Sequence, residues 1–321
     1  MPPRNAADAI TSASIGVALD TSPSATPAAI SAIKAPVSGV MPWITGAAGE
    51  APAAVGLHDS RTRQVRVARR RSESHAARTS AGSPAGPAIG RVPRHDAPPH
   101  TGHEIAGRVD KVGANVTEWK AGDRVGVGWH GGHDFVCNAC RKGLFINCEK
   151  AQITGISHDG GYAEYVVVPH EAIARIPEKL SAIDAGPILC AGVTTYNALR
   201  NSGARPGDTV AVQGIGGLGH FGLQYASKMG FRTIAISHGK DKEERARQLG
   251  AHEYVDTNAG SAAQGLNRLG GADVVLATAP YADAIADTAG GLKPRGKLLI
   301  GAAPFEPLKV SVMGLLTPRR I

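Results

Sequence analysis

Apolar and polar positions change rhythm twice along this chain of 321 residues. Over residues 1–98 neither a period of two nor a period of 3.6 persists; the texture is Ala, Ser, Pro and Thr, then an arginine-rich run from Arg61 to Arg71. From Thr101 onward, short alternating runs bounded by glycine predict strands at 102–113, 121–129 and 161–168. Past residue 188 the pattern becomes apolar run, helical period, apolar run. Strands are expected at 208–212, 233–236, 252–256, 273–277 and 297–300, with helices at 221–230 and 241–250 between the first three. Strands alternating with helices imply an α/β domain built on a doubly wound parallel sheet. The predicted organisation is a disordered segment 1–98, a compact β-rich domain over 99–188, and an α/β domain over 189–321.

Composition sharpens the first of these divisions. Of 14 aromatic residues only Trp43 lies in the first hundred, which carry 11 Lys+Arg against 6 Asp+Glu, so 5 of the net +8 charges sit there. Such a segment buries too little apolar surface to offset its ordering entropy. Its scarce acids and many Ser and Arg also suit a transit peptide, with Asp8 and Asp20 against that reading. The arginine run reads as a solvated charge run rather than an RNA or lipid contact. The other residues carry 24 basic against 21 acidic groups, so the isoelectric point near 9.5 marks no nucleic-acid surface on the folded part. No apolar run approaches the roughly 20 residues of a membrane span. With no apolar signal core at the start, a cytoplasmic protein is expected, without a nucleic-acid or membrane partner.

The chemistry begins at Gln213-Gly214-Ile215-Gly216-Gly217-Leu218-Gly219-His220, which follows the run 208–212 and opens the helical pattern. Strand, G-x-G-x-x-G turn and helix in that order are the dinucleotide fingerprint of a Rossmann domain. Gly214 makes the tight turn, Gly216 lets backbone approach a pyrophosphate, and Gly219 lets helix and strand pack closely. Unpaired N–H groups at the helix start, including those of Ile215, Gly217 and Leu218, suit the phosphates.

All four cysteines fall between 137 and 190. Cys137 and Cys140 form a C-x-x-C knuckle and Cys148 follows after seven residues. Zinc takes four tetrahedral N, S or O ligands, and Asp134 precedes Cys137 at the interval that separates Cys137 from Cys140. A structural zinc on Asp134, Cys137, Cys140 and Cys148 is expected; the alternative is three unliganded thiols in a loop.

Gly102-His103-Glu104, the lobe spaced x2, x2, x7, Leu189-Cys190-Ala191-Gly192-Val193-Thr194 and the glycine turn together resemble the zinc-dependent medium-chain alcohol dehydrogenases, over about Gly102 to Ile321. The resemblance implies a GroES-like catalytic domain ahead of the Rossmann domain and an alcohol or aldehyde as small-molecule substrate. It implies a catalytic zinc held by His103 and Cys190 with Glu104 beside it, and Thr194 against the nicotinamide. Trp129 and His130 are candidates for the pocket wall. A homo-oligomer is expected for the family. Three departures accompany these matches. The lobe normally has four cysteines, where this chain has Asp134. The family's first catalytic ligand, a Cys in a Cys-x-Ser/Thr-Asp turn, belongs some 20–25 residues before His103, and no cysteine precedes Cys137. The sixth cofactor strand and the return to the catalytic domain would lie beyond Ile321.

Two readings follow from the missing cysteine. Either residues 1–98 are out-of-frame or mis-spliced translation joined near 99–102 to a genuine enzyme, or the chain is a non-catalytic nucleotide- and zinc-binding remnant. A zinc-free quinone reductase of the same superfamily is a weaker alternative, opposed by Cys137, Cys140 and Cys148. For the cofactor, an NAD site has Asp or Glu at the end of the second strand. Here that end reads Ile236-Ser237-His238-Gly239-Lys240, so Ser237, His238 and Lys240 favour NADP(H) over NAD(H). Asp241 is the nearest carboxylate and is read as the start of the next helix.

Overall fold

The structure, a computed structural model, describes residues 63–68 and 100–311. These fall into two compact units that meet in sequence between Cys190 and Ala191.

The first unit is built on strands β1 (Gln64–Ala68), β2 (Ile105–Val112), β3 (Arg124–Val127), β6 (Tyr165–Pro169) and β7 (Ile173–Arg175). They form an antiparallel sheet in the order β6-β1-β2-β3-β7. Alternate side chains point to one face and make its core: Val65, Val67, Ile105, Val109, Val125, Val127, Val166 and Val168. A ribbon of β4 (His130–Gly132) and β5 (Gln152–Ile153) leads into and out of the cysteine lobe, which contains the single turn α1 (Asn138–Arg141).

β1 departs from the sequence expectation. The segment 1–98 was expected to hold no element, yet Gln64–Ala68 lies inside the sheet between β2 and β6. Val65 and Val67 are fully buried. The arginine between them, which made the run look solvated, faces the other way. Its Nε donates to Asp110 Oδ2 at 2.6 Å and its guanidinium lies 5.0 Å over the Tyr165 ring. Five residues of alternation inside an arginine run are too few to stand out from it. The window around residues 78–85, where the family's first ligand belongs, lies outside the described residues.

The second unit carries a five-stranded sheet, β8 (Thr209–Gln213), β9 (Arg232–Ser237), β10 (Glu253–Asp256), β11 (Ala272–Ala277) and β12 (Leu292–Ile300). Its order is β10-β9-β8-β11-β12 and every pair is parallel. This is the doubly wound Rossmann arrangement, with its topological switch between β8 and β11. Central β8 is buried at all five positions, as a strand covered on both faces requires. Helices α4 (Gly217–Lys228), α5 (Glu243–Gln248), α6 (Ala262–Arg268) and α7 (Ala282–Ala289) connect the strands. The helix expected at 241–250 is shorter at both ends. It starts at Glu243, leaving Asp241 in the preceding turn. Among the described residues no helix is long and apolar enough to cross a membrane.

Candidate functional site

The first cluster is the lobe. Asp134, Cys137, Cys140 and Cys148 bring one carboxylate oxygen and three Sγ atoms within 4.8 Å of one another, the one such group of metal-type ligands among the described residues. Tetrahedral Zn–S bonds of about 2.3 Å put sulfurs about 3.8 Å apart, so a small contraction closes this set around an ion. Backbone donors already favour the anionic ligands. Cys137 N and Val136 N donate to Asp134 Oδ1 at 3.0 and 2.9 Å and hold that carboxyl well below its usual range. Cys140 N points to Cys137 Sγ at 3.4 Å and lowers that thiol. Asp134 N and Lys150 N point to Cys148 Sγ at 3.4 and 3.3 Å. Burial instead pushes the Cys140 thiol up to about 12. A buried thiol ringed by donor atoms fits a group that becomes a thiolate when a cation enters. Next to the lobe, His130 Nε2 lies 2.9 Å from His133 Nδ1.

The second cluster joins residues far apart in sequence. His103 and Glu104 stand just ahead of β2, and Cys190 sits in a π-type turn, Ile188–Gly192, that follows helix α2 (Ala182–Pro187). π-turns widen a helix by one residue and recur at functional sites. His103 Nε2 is 3.2 Å from Cys190 Sγ, and Trp129 meets the His103 ring edge-on with centroids 4.9 Å apart. The buried Glu104 carboxylate lies near the Cys190 thiol. Burial, with that carboxylate adding to it, raises the thiol to about 12; burial alone lowers His103. The imidazole is therefore neutral at pH 7. One nitrogen and one sulfur meet here beside a buried carboxylate, donor types that zinc accepts. A glycine after β3 brings the π-turn in: a methyl at Gly128 would lie 2.5 Å from the Leu189 carbonyl oxygen. The alternation of residues 121–129 hid that requirement.

In the second unit the glycine turn leaves β8 as expected. Gly214 has φ +89°, which only glycine adopts without strain. A methyl at Gly219 would sit 2.0 Å from the Gly214 carbonyl oxygen, whereas one at Gly216 meets nothing within 4 Å. Thr278 Oγ1, beyond β11, donates to Gln213 O and Gly214 O at 2.9 and 3.0 Å and ties the turn to the switch point; no motif flagged this residue. Ile215 is buried, Gly217 and Leu218 open α4, and Thr194 is half-buried on α3 (Val193–Arg200). Ser237 ends β9; His238 and Lys240 are exposed in the turn after it. These contacts separate two roles. Gly219→Ala is expected to push the turn out of place and weaken nucleotide binding about 30-fold or more, with a lowered melting midpoint. Gly216→Ala is expected to keep the midpoint and lose affinity. Calorimetric titration with 5′-AMP beside thermal melts checks both; an unchanged affinity in Gly219→Ala refutes the first.

Comparison with known proteins places these features. Residues 72–178 match the alcohol dehydrogenase GroES-like domain and residues 217–321 the zinc-binding dehydrogenase domain. Alcohol dehydrogenase patD of Aspergillus clavatus is 52% identical over 199 residues, 62% of this chain and 51% of that protein. Alcohol dehydrogenase notN of an Aspergillus species is 47% identical over 218 residues, 67% of this chain and 64% of that one. The chain thus spans about half to two-thirds of the length of these relatives. Among solved structures, the CAD of Helicobacter pylori complexed with NADP(H) is similar at TM-score 0.61 and 26% identity, over 79% of this chain and 72% of that one. An NAD-dependent alcohol dehydrogenase is similar at TM-score 0.65 and 28% identity, over 85% and 78%. With both of its domain types matched in order, each on the unit whose motifs it explains, the chain belongs to the zinc-dependent medium-chain alcohol dehydrogenase family.

Proposed function

We propose that this chain transfers hydride between a small primary or secondary alcohol and a nicotinamide cofactor, as an alcohol dehydrogenase or aldehyde reductase working in the cytoplasm. The supporting observation is the meeting of His103 and Cys190 at 3.2 Å, with Glu104 near the same thiol. In this reading His103, Glu104 and Cys190 hold the catalytic zinc, and Asp134, Cys137, Cys140 and Cys148 hold the structural one. Zinc bound at the first set supplies the Lewis acidity that lowers the pKa of an alcohol oxygen. The chain's own residues do the rest. His103 offers a neutral ring, one of whose two nitrogens carries no proton, because burial disfavours the charged form. Cys190 would have to shed its proton to become a ligand, as a thiol must on binding a metal, since burial keeps it protonated without one. Trp129 packs against the His103 ring, fixes its plane and presents apolar surface to a substrate. The open space at Gly216 lets the backbone approach the pyrophosphate.

The cofactor is NADP(H) in preference to NAD(H). Solved neighbours include one with NADP(H) and one that is NAD-dependent, so the choice rests on this chain's own β9 end. There no carboxylate ends the strand, and Ser237, His238 and Lys240 bring a hydroxyl, an imidazole and an ammonium, groups suited to a 2′-phosphate. Aldehyde reduction assayed with each cofactor tests the whole reading: KM for NADPH about tenfold or more below that for NADH is expected. A clear NADH preference overturns the cofactor choice, and no turnover with either overturns the activity. The absence of any cysteine before Cys137 favours one second reading, a nucleotide- and zinc-binding protein without turnover. It predicts NADPH binding with no reduction of any aldehyde.

A further inference from the structure

The turn after β9 is held from the neighbouring strand β10. Gly239 N donates to Asp256 Oδ1 at 2.8 Å, and the Gly239 carbonyl accepts from the Tyr254 hydroxyl at 2.6 Å. Both peptide units flanking Gly239 are thereby fixed, one by its N–H and the other by its C=O. The same Asp256 oxygen accepts from Asn258 N at 2.8 Å. Thr257 Oγ1 donates to Ser237 O at 3.3 Å and lies 3.5 Å from His238 Nδ1. Tyr254 and Asp256 are two apart on a strand whose register sets Asp256 opposite Ser237, so both reach the turn from one face. Gly239 needs such a clamp. Its φ of +77° lies in the region only glycine adopts freely, and a glycine peptide left to itself rotates readily.

We propose that Asp256 and Tyr254 are positioning residues that set how this turn discriminates an adenosine 2′-phosphate from a free 2′-hydroxyl. The inference rests on the reading that the turn after β9 meets the ribose. Lys240 and Asp241 are adjacent and of opposite charge, and Asp241 Oδ1 lies only 3.2 Å from where a methyl on Gly239 would be. Rotating the Gly239–Lys240 peptide therefore exchanges attraction for repulsion at a phosphate. Discrimination requires that peptide to be held, since recognition geometry must be kept to within about half an ångström.

The test is calorimetric titration of the whole protein with 2′,5′-ADP and with 5′-AMP, neither of which needs the nicotinamide or the metal. The readout is the ratio of the two dissociation constants. Asp256→Ala is expected to move that ratio about tenfold toward unity and Tyr254→Phe about threefold, while Asp256→Asn, which keeps an acceptor oxygen, stays within about twofold of the parent. Ratios unchanged in both Asp256→Ala and Tyr254→Phe overturn the clamp. So does an Asp256→Asn shift as large as that of Asp256→Ala, which would make charge the cause. Should Asp256→Ala fail to fold, Tyr254→Phe alone decides. A parent protein that prefers 5′-AMP sinks the NADP(H) reading, yet the variant ratios still judge the clamp.

Discussion

Val67→Asp is expected to abolish the native state of the first unit. The side chain is 1% exposed on a strand flanked on both sides in the sheet, with Val109 and Val166 as its cross-strand partners. A carboxylate there loses its hydration and gains no cation, since Arg66 faces the opposite side and is committed to Asp110. An unpaired buried charge costs about 4 kcal/mol or more, comparable to the whole stability of a domain. Val67→Ile, which keeps the face apolar but adds one methylene to a packed core, should cost only about 1–3 kcal/mol. Thermal melts followed by circular dichroism check the pair. A Val67→Asp melting midpoint within about 2 °C of the parent would show that 64–68 does not belong to the sheet. It would then return the whole segment 1–98 to the reading of chain without an element.

What the sequence made legible follows from signal length. The three inner strands of the second unit, β9, β8 and β11, are apolar runs buried on both faces, and each expected strand of the sheet appears within a few residues of its place. The glycine turn was readable because three glycines at fixed offsets carry three separate steric demands, of which Gly214 and Gly219 display two in their φ and their contacts. β1 was not readable: its two inward valines were outweighed by the arginines around them, of which Arg66 serves the sheet's outer face. The meeting of His103 with Cys190, 87 residues apart, came only from the resemblance. Neither residue has a local pattern, and what brings them together is the close approach of Gly128 to Leu189. Tyr254 and Asp256 were invisible for a related reason. Their partner is the backbone of Gly239 in the turn after β9, and nothing in a strand's own alternation records what its side chains bond in a neighbouring turn.

Cys190→Ser should separate the two zinc sites. If both sets load, the parent carries two zinc ions per chain, and replacing Cys190 leaves one, because the lobe keeps its four ligands undisturbed. Serine retains a hydrogen-bonding group toward Glu104 but its hydroxyl, far less acidic than a thiol, is a poor zinc ligand at neutral pH. The melting midpoint should change little, since Cys190 lies at a half-buried turn outside the valine core of the sheet. Turnover should fall by about a thousandfold or more, the loss of several kcal/mol of Lewis-acid stabilisation. His103→Ala should give the same stoichiometry, since His103 and Cys190 share one site at 3.2 Å. Metal analysis of these three proteins and of Cys137→Ser after dialysis decides the matter. Two ions retained in Cys190→Ser would remove Cys190 from the ligand set. A parent holding a single ion, lost in Cys137→Ser but not in Cys190→Ser, would leave the lobe as the sole zinc site and establish the reading without turnover.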